Sequence, residues 1–168
     1  MIKTLIGTSL LAGSLLISGA TAASAEAKPM LGPTGYGALK LGQNVKKAVE
    51  TGLIGKKKSG DFGKCSGYDL KKFPTGKGDA NVYISPKRGV VAIFVDKGVK
   101  TPEGIGIGST LKQVKEAYPR LKGRFHGLYT APVPGDKKAH YYINFNEKKG
   151  TVNGLGLVLN KQDCGLDF

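Results

Sequence analysis

The chain has 168 residues, 40% of them hydrophobic, and its 26 lysines and arginines stand against 12 aspartates and glutamates for a net charge of +14. That length and apolar share suffice for one good core or two small coupled ones and exclude an intrinsically disordered chain. The basic excess favours anionic partners, and it equally keeps an exported protein soluble.

The first 25 residues predict a secretion signal. Met1-Ile2-Lys3 gives a short positive start, Leu5 to Ile17 is apolar apart from small Gly, Ser and Thr, and Ala23-Ser24-Ala25 offers small residues to a signal peptidase. A spanning helix would need about 20 apolar residues with positive flanks behind them. Cleavage is expected before Glu26, and no cysteine lies nearby to carry a lipid, so a soluble extracellular protein is expected. Removing residues 1–25 takes away Lys3 alone among the charges, leaving 143 residues and a net charge of +13.

Residues 26–35 are small and turn-prone and are expected to form a flexible leader, with order beginning near Tyr36. From there one pattern occurs twice. Leu39-Lys40-Leu41-Gly42 is followed by Gln43-Asn44 and by Val45, Ala48 and Val49 at helical spacing. Ile105-Gly106-Ile107-Gly108 is followed by Ser109-Thr110 and by Leu111, Val114, Ala117 and Tyr118. Each reads as a short strand, a glycine turn, a polar cap and an amphipathic helix, and Thr110 with Gln113 matches a capping box. An offset of 66 residues relates Gly42 to Gly108, Leu39 to Ile105 and Ala48 to Val114.

A hairpin follows each helix. Asn81 to Ser85 and Val90 to Val95 are joined by Pro86-Lys87-Arg88-Gly89, and His140 to Phe145 and Val152 to Leu159 are joined by Asn146 to Thr151. The expected fold class is α+β. Two tandem helix-plus-antiparallel-hairpin units, 36–95 and 103–168, form a sheet with short helices on one face, joined by a polar connector at 96–102.

Cys65 and Cys164 are the two cysteines, and an oxidising compartment predicts a bridge between them. A thiol or metal site would want a local pattern with His126 or His140, and neither histidine supplies one. No metal and no cofactor is expected. The stretch Gly104 to Thr110 has no lysine before Ser109-Thr110, and its G-x-G-x-G spacing is not that of a dinucleotide fold, so it reads as strand-turn-helix punctuation. No G-x-S-x-G elbow exists, and no histidine lies near Ser66 or Ser85 in sequence, so no enzyme is expected.

The two openings, Leu-x-Leu-Gly-x-x-Val-x-x-Ala at 39–48 and Ile-x-Ile-Gly-Ser-Thr-x-x-Gln-Val at 105–114, resemble the repeat of the β-lactamase inhibitory protein family and of small lipoproteins of the outer-membrane assembly machinery. Many secreted actinobacterial proteins look similar. The resemblance implies a tandem helix-plus-sheet fold whose concave sheet faces a protein partner. The inhibitor's loop carries an Asp-Tyr pair, whereas the comparable loop here reads Gly78-Asp79-Ala80-Asn81 and lacks the tyrosine, and each copy here has one cysteine where the inhibitor has a disulfide. Fold and binding carry over, and the target does not.

Aromatic residues beside lysines are the candidate binding surface: Tyr36, Phe62, Tyr68, Phe73, Phe125 and Tyr129, with Asp79 on the loop that the resemblance singles out. The basic runs Lys56-Lys57-Lys58, Lys71-Lys72, Lys87-Arg88, Lys137-Lys138 and Lys148-Lys149 fall in predicted loops and turns. Together they suit an anionic polymer, and their excess of lysine over arginine argues against nucleic acid. The first expectation is a secreted, inhibitor-like binding protein that recognises an extracellular protein. The alternative is a basic envelope-associated protein held by anionic wall polymers.

Overall fold

The computed structural model describes residues 30–165. The expected signal peptide at 1–25, the first four residues of the expected leader and residues 166–168 lie outside the described residues.

Strand dominates. A small sheet of β1 (Leu31–Gly32), β2 (Gly35–Tyr36) and β3 (Leu39–Lys40) precedes α1 (Val45–Glu50). Then come β4 (Ile54–Lys57), β5 (Ser66–Leu70), β6 (Val82–Ser85) and β7 (Gly89–Val95), followed by α2 (Leu111–Ala117). The chain ends in β8 (Lys122–Gly123), β9 (Leu128–Val133), β10 (Asp136–Asn146) and β11 (Thr151–Leu159). The last eight strands form one antiparallel sheet in the order β4-β5-β6-β7-β11-β10-β9-β8. Both expected hairpins are present, β6 with β7 and β10 with β11.

Alternation decides which side chains are covered. Along β10, Ala139, Tyr141, Ile143 and Phe145 are buried while His140, Tyr142, Asn144 and Asn146 are half-buried. The first set joins one apolar cluster with Leu155 and Leu157 of β11, Ile93 and Val95 of β7, Ala48 of α1 and Val114 of α2. The small sheet completes that cluster with Leu31, Tyr36 and Leu39, and the Tyr141 hydroxyl donates to the Leu31 carbonyl at 3.1 Å.

The opposite face is read from the register. Gly67, Tyr83, Ala92, Val158, His140 and Pro132 lie in one cross-strand row, and Phe94, Gly156, Tyr142, Thr130 and Lys122 in the next. An aromatic ladder crosses it, with Phe62 on Tyr83, Tyr83 on Phe94 and Phe94 on Tyr142 at centroid distances of 5.8, 6.0 and 5.4 Å. Gly156 makes the last contact possible, because a Cβ there would sit 2.5 Å from the Phe94 ring. The expected disulfide between Cys65 and Cys164 is present, with Cα atoms 5.1 Å apart.

Several local expectations differ from what is found. The described part of the expected flexible leader is structured: Leu31 is fully buried, and its N–H donates to the Lys100 carbonyl at 3.0 Å. Ile105 to Ile107 makes only a single bridge, Lys100 with Gly106, instead of a strand. The connector at 96–102 is polar in letters, yet Val99 and Thr101 are buried, and the Tyr118 hydroxyl reaches Thr101 at 2.7 Å. In α1 only Ala48 is buried, and Val45 and Val49 face solvent, because six residues give too little helix for a wide apolar stripe to reach the sheet. The Thr110–Gln113 capping box is present as read.

Candidate anion-binding cleft

The turn between β6 and β7 carries the first pair of cations. Ser85, buried at the end of β6, accepts through Oγ from the N–H groups of Lys87 (3.1 Å) and Arg88 (3.0 Å), which fixes the turn and leaves both side chains exposed. Gly89 closes it at φ +70°, where an added Cβ would meet the Gln43 carbonyl. That closeness serves a contact: the Gly42 N–H donates to the Val90 carbonyl and the Val90 N–H to the Gln43 carbonyl, both at 2.8 Å.

The turn between β9 and β10 carries the second pair. Gly135 takes φ +80°, and Asp136 Oδ1 accepts from the Lys138 N–H at 2.7 Å. Asn160, just past β11, holds this turn from the other side: its N–H donates to the Lys138 carbonyl and its Nδ2 to the Lys137 carbonyl, both at 2.9 Å.

Between the two turns lies a cleft of about 820 Å³, lined by Thr34, Leu41, Gly42, Lys87, Arg88, Asp136, Lys137, Lys138, Leu159, Asn160 and Lys161. A second pocket of about 400 Å³ shares Asp136, Lys137 and Asn160 with it and adds Arg120, Lys122, Arg124 and His140. Among the described residues, eight cationic side chains thus line two neighbouring hollows whose walls have one carboxylate, Asp136. Among the described residues only one of the eight has an acidic partner within reach, Arg88, whose Nε is 4.0 Å from Asp163. Cations without counter-charges in a shared concave surface raise the local concentration of anions more than the same number scattered over a sphere.

His140 lines the smaller pocket. Its Nδ1 is 2.8 Å from Asn160 Oδ1, and its Nε2 is buried with no hydrogen-bond partner among the described residues. Burial holds this imidazole below the usual histidine range; Arg124 nearby pushes the same way, and the bond to Asn160 opposes both.

The candidate binding residues read from sequence are dispersed. Tyr36, Phe62 and Tyr68 are buried at 2%, 5% and 7% exposure, and Phe73 and Tyr129 are half-buried against the core. Tyr36 meets Phe73 inside the fold at 6.4 Å, and Tyr129 packs on Phe145 at 5.1 Å. Asp79 and Phe125 are exposed and belong to different loops. Of the basic runs, Lys87-Arg88 and Lys137-Lys138 come together in the cleft; Lys58 instead spans to Asp69 at 2.8 Å and to the Thr75 and Gly76 carbonyls. Arg120, Lys122, Arg124, Lys161 and Asn160 had no sequence signal, since they are single residues that only strand register gathers.

Compared with known proteins, the chain matches no protein-family model, no curated protein and no solved structure. Among the described residues no helix is long and apolar enough to cross a membrane.

Proposed function

We propose that this chain is an exported, non-catalytic binding protein that holds an anionic envelope polymer along the cleft between the β6–β7 and β9–β10 turns. The observation that carries this reading is the set of eight cations against one carboxylate in the walls of the cleft and the neighbouring pocket. Export is supported by the letters of residues 1–25 and by the disulfide, which suits an oxidising compartment. A non-catalytic role is supported by the histidines. Among the described residues His140 pairs with an amide, and His126 stacks edge-on against Phe125 without a serine or carboxylate partner.

The other occupant, an extracellular protein gripped by loop aromatics, has less support, since three of the six rings are in the interior. The proposal includes an origin for the fold. Reading outward from the β7–β11 pair, each half of the sheet has four consecutive strands preceded by a capped helix, which supports two copies of one unit and the inhibitor-like repeat pattern.

The test is retention of the mature protein on isolated cell walls over a salt series. Retention that fades as salt screens the cleft is expected. A stoichiometric protein complex that survives high salt would point to the other occupant.

A further inference from the structure

Residues 160–165, which follow β11, form a strap that touches both turns of the cleft. At one end Asn160 holds the β9–β10 turn, its N–H and Nδ2 bonded to the Lys138 and Lys137 carbonyls. Lys161 adds a cation to the cleft wall. At the other end Asp163 Oδ1 lies 4.0 Å from Arg88 Nε on the β6–β7 turn, a contact that leaves the guanidinium two further nitrogens for a ligand. The next residue, Cys164, is bridged to Cys65.

The contacts around that bridge are weak. The Cys164 carbonyl accepts from the Lys64 N–H at 3.4 Å, the long end of the hydrogen-bond range, while the Cys164 N–H is bonded within the strap, to Gln162 Oε1 at 2.7 Å. The Arg88 and Asp163 side chains are 47% and 30% exposed, and exposed pairs contribute little. Gly63, at φ +60°, lets the strap come this close, since a Cβ there would overlap the Cys164 carbonyl. The covalent bridge is therefore the strong fastening at this end of the strap, and without it the segment opens at low cost.

We propose that closure of the Cys65–Cys164 bridge switches the cleft on, the strap placing Arg88, Lys137, Lys138 and Lys161 for a polyanion in the oxidised chain and not in the reduced one. The inference rests on reading the cleft as an anion site and adds how that site is regulated. Asn160 and Asp163 are positioning residues in it. In a reducing cell interior the two thiols stay reduced, the strap end frays, and cations that must be ordered by the ligand itself bind it more weakly. After the expected export a thiol oxidoreductase in its disulfide form closes the bridge. The Cys65 thiolate, from the half-buried member of the pair, forms a mixed disulfide with it, and the Cys164 thiolate displaces the oxidoreductase. Two electrons and two protons leave the protein thiols, and the oxidoreductase departs as a dithiol.

The test uses the full mature protein, oxidised or reduced with excess dithiothreitol, at a temperature well below the melting point of the reduced form, with long-chain polyphosphate as the probe over a salt series at pH 7. Reduction is expected to weaken binding at least about fivefold and to make its salt dependence shallower, although neutral thiols add no charge. Reoxidation should restore both. Gly156→Ala, destabilised with its bridge intact, controls for stability alone and should bind like the native protein. Asn160→Ala keeps the bridge and the charge, and should weaken binding and flatten the salt dependence in the same direction; it decides the matter if reduction unfolds the chain. Amide hydrogen exchange gives a second readout: Asn160 should exchange at least about tenfold faster after reduction, while Tyr141 and Leu157 in the middle of the β10–β11 pair hold. Equal affinity of the oxidised and reduced proteins, native affinity in Asn160→Ala, or a loss in Gly156→Ala as large as that on reduction would overturn the switch. If isolated walls retain the oxidised and reduced proteins equally, the switch fails and the polymer reading stands; if polyphosphate binding depends on the bridge and walls retain neither form, the reverse holds.

Discussion

Cys164 is fully buried against Cys65, 99 residues earlier in the chain, with their Cα atoms 5.1 Å apart. The bridge fastens the segment after β11 to the start of β5, across the sheet face where Ala92 and Val158 lie buried outside the main core. Chain entropy for a loop of this length gives up to about 4.7 kcal/mol. The Cys65→Ser/Cys164→Ser double variant should melt about 10 °C lower than the native protein by circular dichroism, and reductant should lower the native melting point similarly.

A second prediction concerns acid. Lys58 Nζ lies 2.8 Å from Asp69 Oδ2, and the Thr75 hydroxyl donates to Asp69 Oδ1 at 2.6 Å, which ties the loop after β5 to that strand. Burial alone would raise the Asp69 carboxyl, but the bonds from Lys58 and Thr75 outweigh it and hold it below the usual range. A depressed folded-state value means stability that is present above about pH 3.9 and is lost as pH falls through the folded value. Asp69→Asn should cost about 1–3 kcal/mol at pH 7 and flatten this part of the stability profile in urea titrations.

The third prediction concerns the aromatic ladder. Gly156→Ala inserts a methyl 2.5 Å from the Phe94 ring, whereas Gly154→Ala approaches only Asn144 Cβ, at 3.2 Å. The first should destabilise by about 1–3 kcal/mol and the second by less, measured in the same denaturant series.

His140 supplies a fourth prediction with the opposite chemistry. Its folded-state value is lowered, chiefly by burial, so the unfolded chain binds a proton that the folded one refuses. Stability should therefore fall as pH drops from about 6.5 toward the folded value and level off below it. Arg124→Gln removes the repelling cation and should narrow that window; His140→Gln should abolish it.

Much of the local structure is legible in the letters because its causes are local. The capping box of Thr110 and Gln113, the turn at Pro86 to Gly89 and the alternation of β10 each depend on residues a few positions apart. The disulfide is anticipated from two cysteines and the oxidising compartment that the first 25 residues lead one to expect. What is not legible depends on register and on contacts far along the chain. Tyr36, Phe62 and Tyr68 look like surface aromatics beside lysines, yet the small N-terminal sheet takes Tyr36 inside, the aromatic ladder takes Phe62, and β5 places Tyr68 in the core. Lys122 enters the cleft wall because β8 pairs with β9 at Thr130, a pairing of two residues that no pattern in a two-residue strand announces. The pairing of Asn160 with His140 spans 20 positions and has no motif.

The cleft itself is tested most directly by comparing two variants that lose the same charge. One replaces Lys87, Arg88, Lys137 and Lys138 with glutamine; the other replaces the exposed Lys56, Lys57, Lys148 and Lys149, which line neither hollow. Affinity for isolated anionic wall polymer, followed over a salt series, should drop at least about tenfold with a shallower salt dependence in the first, and change by less than about twofold in the second. Equal losses in the two would mean that net charge alone attracts the polymer, and would contradict the cleft as the binding site.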